Sequence, residues 1–456
     1  MKFKDLNKED IIKSVKKAEN QSIKFAVTDI DGVLRGKLIS KEKFFDSLEK
    51  GIGFCNVIFG WDINDATYSN TKVSGWDTGY PDAIAKIDES TYRTIPWDDY
   101  KPFFLADFEH SQELMGVCPR TLLKRIIKQC NDLEYLPKFS NEFEWFNFVE
   151  SPHTLQQKNY TDPVPLTPGM FGYSILRSSQ YNYFADRLFE SLYEFGIQIE
   201  GLHTETGPGV YEASIKYDNI LSAADKAVLF KSSVKEIAYQ EGIMASFMAK
   251  WNKELPGCSG HIHQSLWDTK NETNLFFDNS SQNKMSSLME SYIAGQLYCL
   301  PHILPMFAPT VNSYKRFVEG SWAPTAVSFG IDNRTTALRV INSSETAMRL
   351  ENRVPGSDAN PYLSMSSSLA SGLYGIKNNL KLHISPTAGN EYENIGTEPL
   401  ATNLHKATKA MKESNIAKEL FGETFTDHFI RTREWEWKQY DPQQANWELK
   451  RYFEIV

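Results

Sequence analysis

Residues 141–146 read NEFEWF. Side chains two positions apart on a strand leave the same face, so an extended segment here sets Glu142 and Glu144 side by side, with Phe143, Trp145 and Phe146 around them. Two like charges beside apolar surface call for a cation. Taken alone, the pair fits a solvated strand face with incidental glutamates better than a cation site.

Other segments carry complementary chemistry. HTETGPGVYE puts Glu205 and Glu212 at the two ends of a glycine-proline turn, a spacing that folds both acids back toward one place. GCSGHIHQS puts His261 and His263 on one face of a strand directly after a flexible glycine loop; such a pair is as often a hydrogen-bonded core feature as a ligand pair. Carboxylates with an occasional imidazole suit Mg²⁺ or Mn²⁺ better than zinc. Between Arg316 and Arg353 the segments NSYKR, DNRTTALR and MRLENR supply Arg316, Arg334, Arg339, Arg349 and Arg353. Guanidinium groups bind carboxylates and phosphates in bidentate fashion and stabilise a transferring phosphoryl group, although any one arginine also fits a surface salt bridge. Neither a G-x-x-x-x-G-K-[ST] loop nor a G-x-G-x-x-G turn is present. Bound phosphate would then rest on arginines and metals.

At 456 residues the chain is long enough for a large domain and a smaller partner. Its formal net charge of −9 repels polyanions, which argues against nucleic acid as a partner. Five scattered cysteines (Cys55, Cys118, Cys130, Cys258, Cys299) without C-x-x-C spacing fit a reducing, cytoplasmic setting. The N-terminus is charged throughout, and the most apolar stretch, GQLYCLPHILPMFAP at 295–309, is short and broken by proline, so we expect no membrane span.

We expect a mixed domain over residues 1–112: a helix at 7–19, a hairpin of KFAVTDID and VLRGKLIS turning at Asp31-Gly32, irregular loops between short strands from Gly51 to Pro102, and a strand KPFFLADFEH. A larger α+β domain over 113–456 begins with the helix PRTLLKRIIKQCNDL and the strand KFSNEFEWFNFV. Helices follow near 178–195, 222–241, 283–303 and 359–377, with strands around 197–217, 244–250 and 260–267. The tail from about 399 reads as helical.

In order along the chain, TDIDGVLRGK, NEFEWF, HTETGPGVYE, SGHIHQS, PTVNSYKRFVEG, DNRTTALR and MRLENRVPGSDANPYL resemble the glutamine synthetase family, bacterial type I branch, from about residue 23 to 377. The resemblance implies an α+β fold with an N-terminal β-grasp domain and a catalytic domain, assembled as a dodecamer of two hexameric rings with active sites shared between subunits. It implies ATP and Mg²⁺ or Mn²⁺ as cofactors, with Glu144, Glu205 and Glu212 on one metal and Glu142, His261 and Glu351 on the other. Arg316 takes the place of the clamp on the glutamate α-carboxylate, Arg334 and Arg339 those of phosphate binders, and Arg353 that of the γ-carboxylate contact. His263 and Ser265 match nucleotide contacts, and Tyr217 the adenine-stacking ring. The implied reaction phosphorylates a carboxylate with ATP and lets an amine displace the phosphate.

The chain departs from the family at the ammonium site. Six residues after Arg316, where the family has a glutamate, stands Trp322. Where a Phe-Asp-Gly-Ser motif is expected the chain reads FGWDIND, with Gly60 at the expected place and Asp62 displaced, and Pro256-Gly257 replaces an Asn-Gly pair in a glutamate-contacting loop. An indole in place of a carboxylate favours a small, partly apolar organic amine over ammonium, a pattern similar to γ-glutamylputrescine synthetase and other γ-glutamylamide synthetases. The other readings are an ammonium-using glutamine synthetase with a rebuilt site, a non-catalytic relative, and an enzyme using an acid other than glutamate.

Overall fold

The computed structural model describes residues 6–112, 114–270 and 273–456. Five strands, β1 (Ser22–Thr28), β2 (Leu34–Ser40), β3 (Ile52–Cys55), β4 (Asp82–Ile95) and β5 (Lys101–Asp107), form a first sheet in the order β2-β1-β5-β4-β3. β1 and β5 are parallel and the other pairs antiparallel. The helix Lys41–Lys50 closes this sheet: Ser40 caps it by accepting from Lys43 N–H, Phe44 and Leu48 turn inward one turn apart, and Gly51 ends it at φ 73°. The turn after β1 is longer than the expected Asp-Gly turn. It spans residues 29–33, with Asp29 Oδ1 accepting from the N–H groups of Asp31 and Val33 and Gly32 at φ 86°. β4, with 14 residues, is longer than the short strands expected between irregular loops there; its alternation DAIAKIDESTYRTI stands between a flank with Gly75 and Gly79 and the segment PWDDYKP.

The second sheet holds β6 (Tyr135–Phe148), β7 (Ile199–Thr204), β8 (Val210–Ile215), β9 (Asp218–Asn219), β10 (Met244–Ser246), β11 (Gly260–Asp268), β12 (Phe329–Ile331), β13 (Leu338–Ile341) and β14 (Arg349–Asn352). Its order is β12-β13-β14-β11-β6-β8-β7, with β9 and β10 pairing at the two ends of β6. β6 decides how the faces are used. Its odd-numbered Phe139, Phe143 and Trp145 bury against the helix Ile220–Gln240, where Phe230 stacks on Phe143 at 5.8 Å, and the helices Pro119–Asn131, Ser287–Ile303 and Pro361–Lys377 complete that layer. Its even-numbered residues face the other way, which leaves Glu142 and Glu144 on the side opposite that layer. The strand expected at 244–250 ends at Ser246, and the helix expected at 178–195 is two pieces, Ile175–Gln180 and Asn182–Glu194, parted at Tyr181.

The tail is helical, as expected, and ties the two sheets together. From the helix Glu423–Gln439, Arg433 donates to Asp31 at 2.6 Å, and Asn360 donates to the carbonyls of Asp29 and Ile30 from the catalytic side. No helix among the described residues is long and apolar enough to cross a membrane.

Candidate active site

Strand register assembles the site. His203 on β7 lies opposite Glu212 on β8, and Glu212 opposite Glu144 on β6. One step along β6, Glu142 lies opposite His261 on β11. One step further, His263 on β11 faces Glu351 on β14, which faces Arg339 on β13. Five of these strands thus project their polar residues into one cavity of about 560 Å³, with His203 of β7 behind Glu205 and Glu212, and the cavity also receives Glu205, Arg316, Trp322, Arg334, Arg349 and Arg353 from loops and strand ends.

Directly opposed carboxylates destabilise a sheet unless something neutralises them, and here Glu212 keeps its proton instead of meeting a lysine or arginine. Burial, then Glu142, Glu144 and Glu205, push the Glu212 carboxyl up to about 12. His203 Nε2 stands 3.2 Å from Glu205 Oε1 and 3.5 Å from Glu212 Oε1, and the three residues offer ligand atoms within 4.8 Å of one another. Glu144 is pinned instead by the N–H of Ser259 at 2.6 Å. In a second cluster His261 Nδ1, buried and outside hydrogen-bond geometry, stands 3.3 Å from Glu351 Oε1 and 3.9 Å from Glu142 Oε1. Burial opposes ionisation of Glu351, yet Arg353, His261, His263 and Arg339 overcome it and bring its pKa down to about 2. Glu142 is likewise held well below the ordinary range, against burial, by His261 and His263. A carboxyl that stays protonated at neutral pH, beside an orphaned imidazole nitrogen and hard oxygen donors, fits divalent cations of the Mg²⁺ or Mn²⁺ type.

The arginines divide the remaining work. Arg316, 3% exposed, donates to the carbonyl of Val354, and a Cβ on Gly257 would stand 2.5 Å from its Cγ, so glycine is needed there. Arg339 bridges Asp332 and Glu351, while Arg353 donates to Glu351 at 2.6 Å and to the carbonyl of Trp322 at 3.3 Å. Arg334 is exposed on the cavity lining. Arg349 Nε donates to His263 Nδ1 at 3.1 Å, which makes Nδ1 the acceptor and leaves the Nε2 proton for Glu142 Oε2, 3.1 Å away. Trp322 lies at the cavity in a left-handed conformation (φ 62°) with its indole 61% exposed.

A second cavity of about 340 Å³ shares Glu142, His263 and Arg349 with the first and adds Tyr217, Ser265, Trp267 and Lys138. Trp267 Nε1 donates to Ser265 Oγ at 2.8 Å, and Lys138 Nζ stands 4.0 Å from the Trp267 ring centroid.

Asp62 needs correction. We expected it to contact substrate, but it is 2% exposed and spent within the chain: Arg451 and Trp435 donate to Oδ2, and the N–H groups of Asn64 and Ala66 to Oδ1. The segment WDIND folds as a tight turn around its own aspartate, whose carboxylate points at the tail. Three neighbours of the site escaped the sequence reading: His203, Arg349 as the partner of His263, and Trp267. His203 had a signal, since it precedes Glu205 by two positions on a strand.

A family model described as the glutamine synthetase catalytic domain matches residues 116–452. The chain belongs to the glutamine synthetase family. Type-1 glutamine synthetase 2 of Dictyostelium discoideum is 51% identical over 99% of this chain and 87% of its own length. A glutamate–isopropylamine ligase from a Pseudomonas species is 36% identical over 99% of both chains. The solved structure of a GmaS/ADP complex superposes with a TM-score of 0.82 at 25% identity, covering 97% of this chain and 98% of that one. As a glutamine synthetase family member, the protein is a ligase that forms carbon–nitrogen bonds.

Proposed function

We propose that this ligase uses ATP to convert the γ-carboxylate of glutamate into γ-glutamyl phosphate and transfers the acyl group to a small organic amine, releasing phosphate. The observation that carries the amine reading is Trp322: an indole, not a carboxylate, stands at the cavity, its carbonyl held by Arg353. A π face and apolar edge suit an alkylammonium better than ammonium. The acid that the family uses for ammonium is absent there, and Asp62 is locked in its own turn. The name of the Pseudomonas relative supports the same reading; that of the Dictyostelium relative favours ammonium.

In this account Glu144, Glu205 and Glu212, joined by His203, hold one divalent metal, and Glu142, His261 and Glu351 hold the other. Bound metals supply charge neutralisation to the phosphates of ATP. Arg316 binds the glutamate α-carboxylate beside Gly257, Arg334 and Arg339 bind phosphate, and Arg353 faces the γ-carboxylate. His263, oriented by Arg349, Ser265 and Tyr217 contact the nucleotide in the second cavity, with Trp267 as a further ring. We further read the first sheet as a β-grasp domain over residues 1–112, the remainder as the catalytic domain, and the working assembly as a cytoplasmic dodecamer, which gel filtration tests. The decisive assay is phosphate release with ATP, Mg²⁺ and glutamate: kcat/KM should be higher for isopropylamine, ethanolamine or putrescine than for ammonium, and the reverse order would restore the ammonium reading.

A further inference from the structure

Trp322 holds a backbone conformation that its own chemistry disfavours. A bulky side chain at φ 62° is an outlier that persists only where its surroundings over-determine it. Here the surroundings grip the carbonyl groups of two successive residues. Arg353 donates to the carbonyl of Trp322 at 3.3 Å, and the hydroxyl of Tyr392 donates to the carbonyl of Ala323 at 2.8 Å. Just before them, Ser321 Oγ donates to the carbonyl of Arg316 at 3.0 Å. Arg353 and Arg316 line the ligase cavity themselves, whereas Tyr392 stands behind its wall.

Tyr392 projects from the middle of a strap, residues 387–400, that is pinned on both sides. At one end the N–H of Thr387 donates to the carbonyl of Phe329 at 2.8 Å, and Asn333 donates to the carbonyls of Thr387 and Gly389 at 3.1 and 2.7 Å. At the other end the N–H of Val327 donates to the carbonyl of Glu398 at 2.8 Å, and the N–H of Leu400 to the carbonyl of Thr325 at 2.9 Å. Between them lies a short turn, Glu391–Glu393, capped by Asn390, whose side-chain oxygen accepts from the N–H of Tyr392 at 3.2 Å. Glu391 is buried in that turn: its carboxylate accepts from Thr387 Oγ1 at 2.5 Å, and its N–H donates to Thr335 Oγ1 at 3.0 Å. Anchors on both sides of the turn fix where the Tyr392 hydroxyl ends.

We propose that Tyr392 is a positioning residue for the ligase reaction, holding Ala323 so that the Trp322 indole stays at the cavity, a role that rests on the reading of Trp322 as the amine contact. Tyr392→Phe removes the hydroxyl and keeps the ring. In hydrogen–deuterium exchange on the full-length protein, a peptide spanning residues 317–324 should exchange about two- to tenfold faster in the variant, the span of one net hydrogen bond. Peptides from β6 and β11 should be unchanged. KM for the nitrogen substrate that turns over fastest should rise by a similar factor, with KM for glutamate and for ATP unaltered. In a Trp322→Ala background, Tyr392→Phe should add nothing to that KM. A purely structural role would instead raise all three KM values together and add to the effect of Trp322→Ala. Unchanged exchange over 317–324 would overturn the proposal, as would a nitrogen-substrate KM that Trp322→Ala raises and Tyr392→Phe does not. A KM indifferent to Trp322→Ala itself would sink the amine reading alone, and the exchange rates would then decide whether Tyr392 holds the loop.

Discussion

Glu212→Gln separates what the carboxylate cluster does for stability from what it does for function. In metal-free protein at pH 7 Glu212 carries a proton, because burial and its three glutamate neighbours raise its pKa from 4.5 to about 12. In the unfolded chain the same residue is ionised. A group whose folded pKa is raised contributes its full stability below the unfolded pKa and loses it as pH rises toward the folded value. At pH 7 the loss amounts to about 2.5 pH units, or about 3 kcal/mol. Glutamine is neutral in both states and carries no such loss. The variant in EDTA should therefore be more stable than the parent by up to about 3 kcal/mol at pH 7, with a difference that widens by about 1.4 kcal/mol per pH unit between pH 5 and 8. For a chain of 456 residues, that corresponds to a rise of about 3 °C in Tm at pH 7, given an unfolding entropy near 2.1 cal/mol/K per residue. Thermal scans in EDTA across that pH range measure it directly. Added Mg²⁺ should then stabilise the parent more than the variant, whose ligase activity should be lost. A variant no more stable than the parent, or a difference flat with pH, would refute the reasoning that the protein leaves this charge for a cation.

Trp322→Ala removes a cation–π contact of about 1–2 kcal/mol, so KM for the amine should rise roughly five- to thirtyfold while KM for glutamate stays put; steady-state kinetics with each substrate varied in turn checks both. Asp62→Asn leaves the buried Arg451 short of one partner and should destabilise the fold by about 1–3 kcal/mol in denaturant titrations without altering KM for the amine. Trp267→Ala takes away the ring over which Lys138 sits and the donor to Ser265, and KM for ATP should rise about tenfold with little change in KM for glutamate.

Much of the site was legible because strand alternation alone fixes which side chains share a face. Glu142 with Glu144 and His261 with His263 could be paired from spacing, and the aromatics between the two glutamates chose the buried side. The cross-strand register was not legible: that Glu212 sits opposite Glu144 and Glu351 opposite both His263 and Arg339 depends on pairings between residues 68, 88 and 12 positions apart along the chain. His203 was missed because the turn drew attention to its two acids, and Arg349 because its partner is on another strand. Asp62 misled because a displaced acid in a loop reads as available, whereas its orientation is decided by Arg451, nearly four hundred residues away. The length of β4 was hidden by its flanks, with Gly75 and Gly79 on one side and PWDDYKP on the other, and the helix near 178–195 was read through a break at Tyr181 that its apolar periodicity does not reveal.

The central claim is that the acyl group passes to an organic amine. One reaction containing ATP, Mg²⁺, glutamate and equal concentrations of ammonium, isopropylamine, ethanolamine and putrescine, read by mass spectrometry of the products, tests it most directly. The account predicts a γ-glutamylamide of one or more of the organic amines in excess over glutamine, whereas glutamine as the dominant product would contradict it.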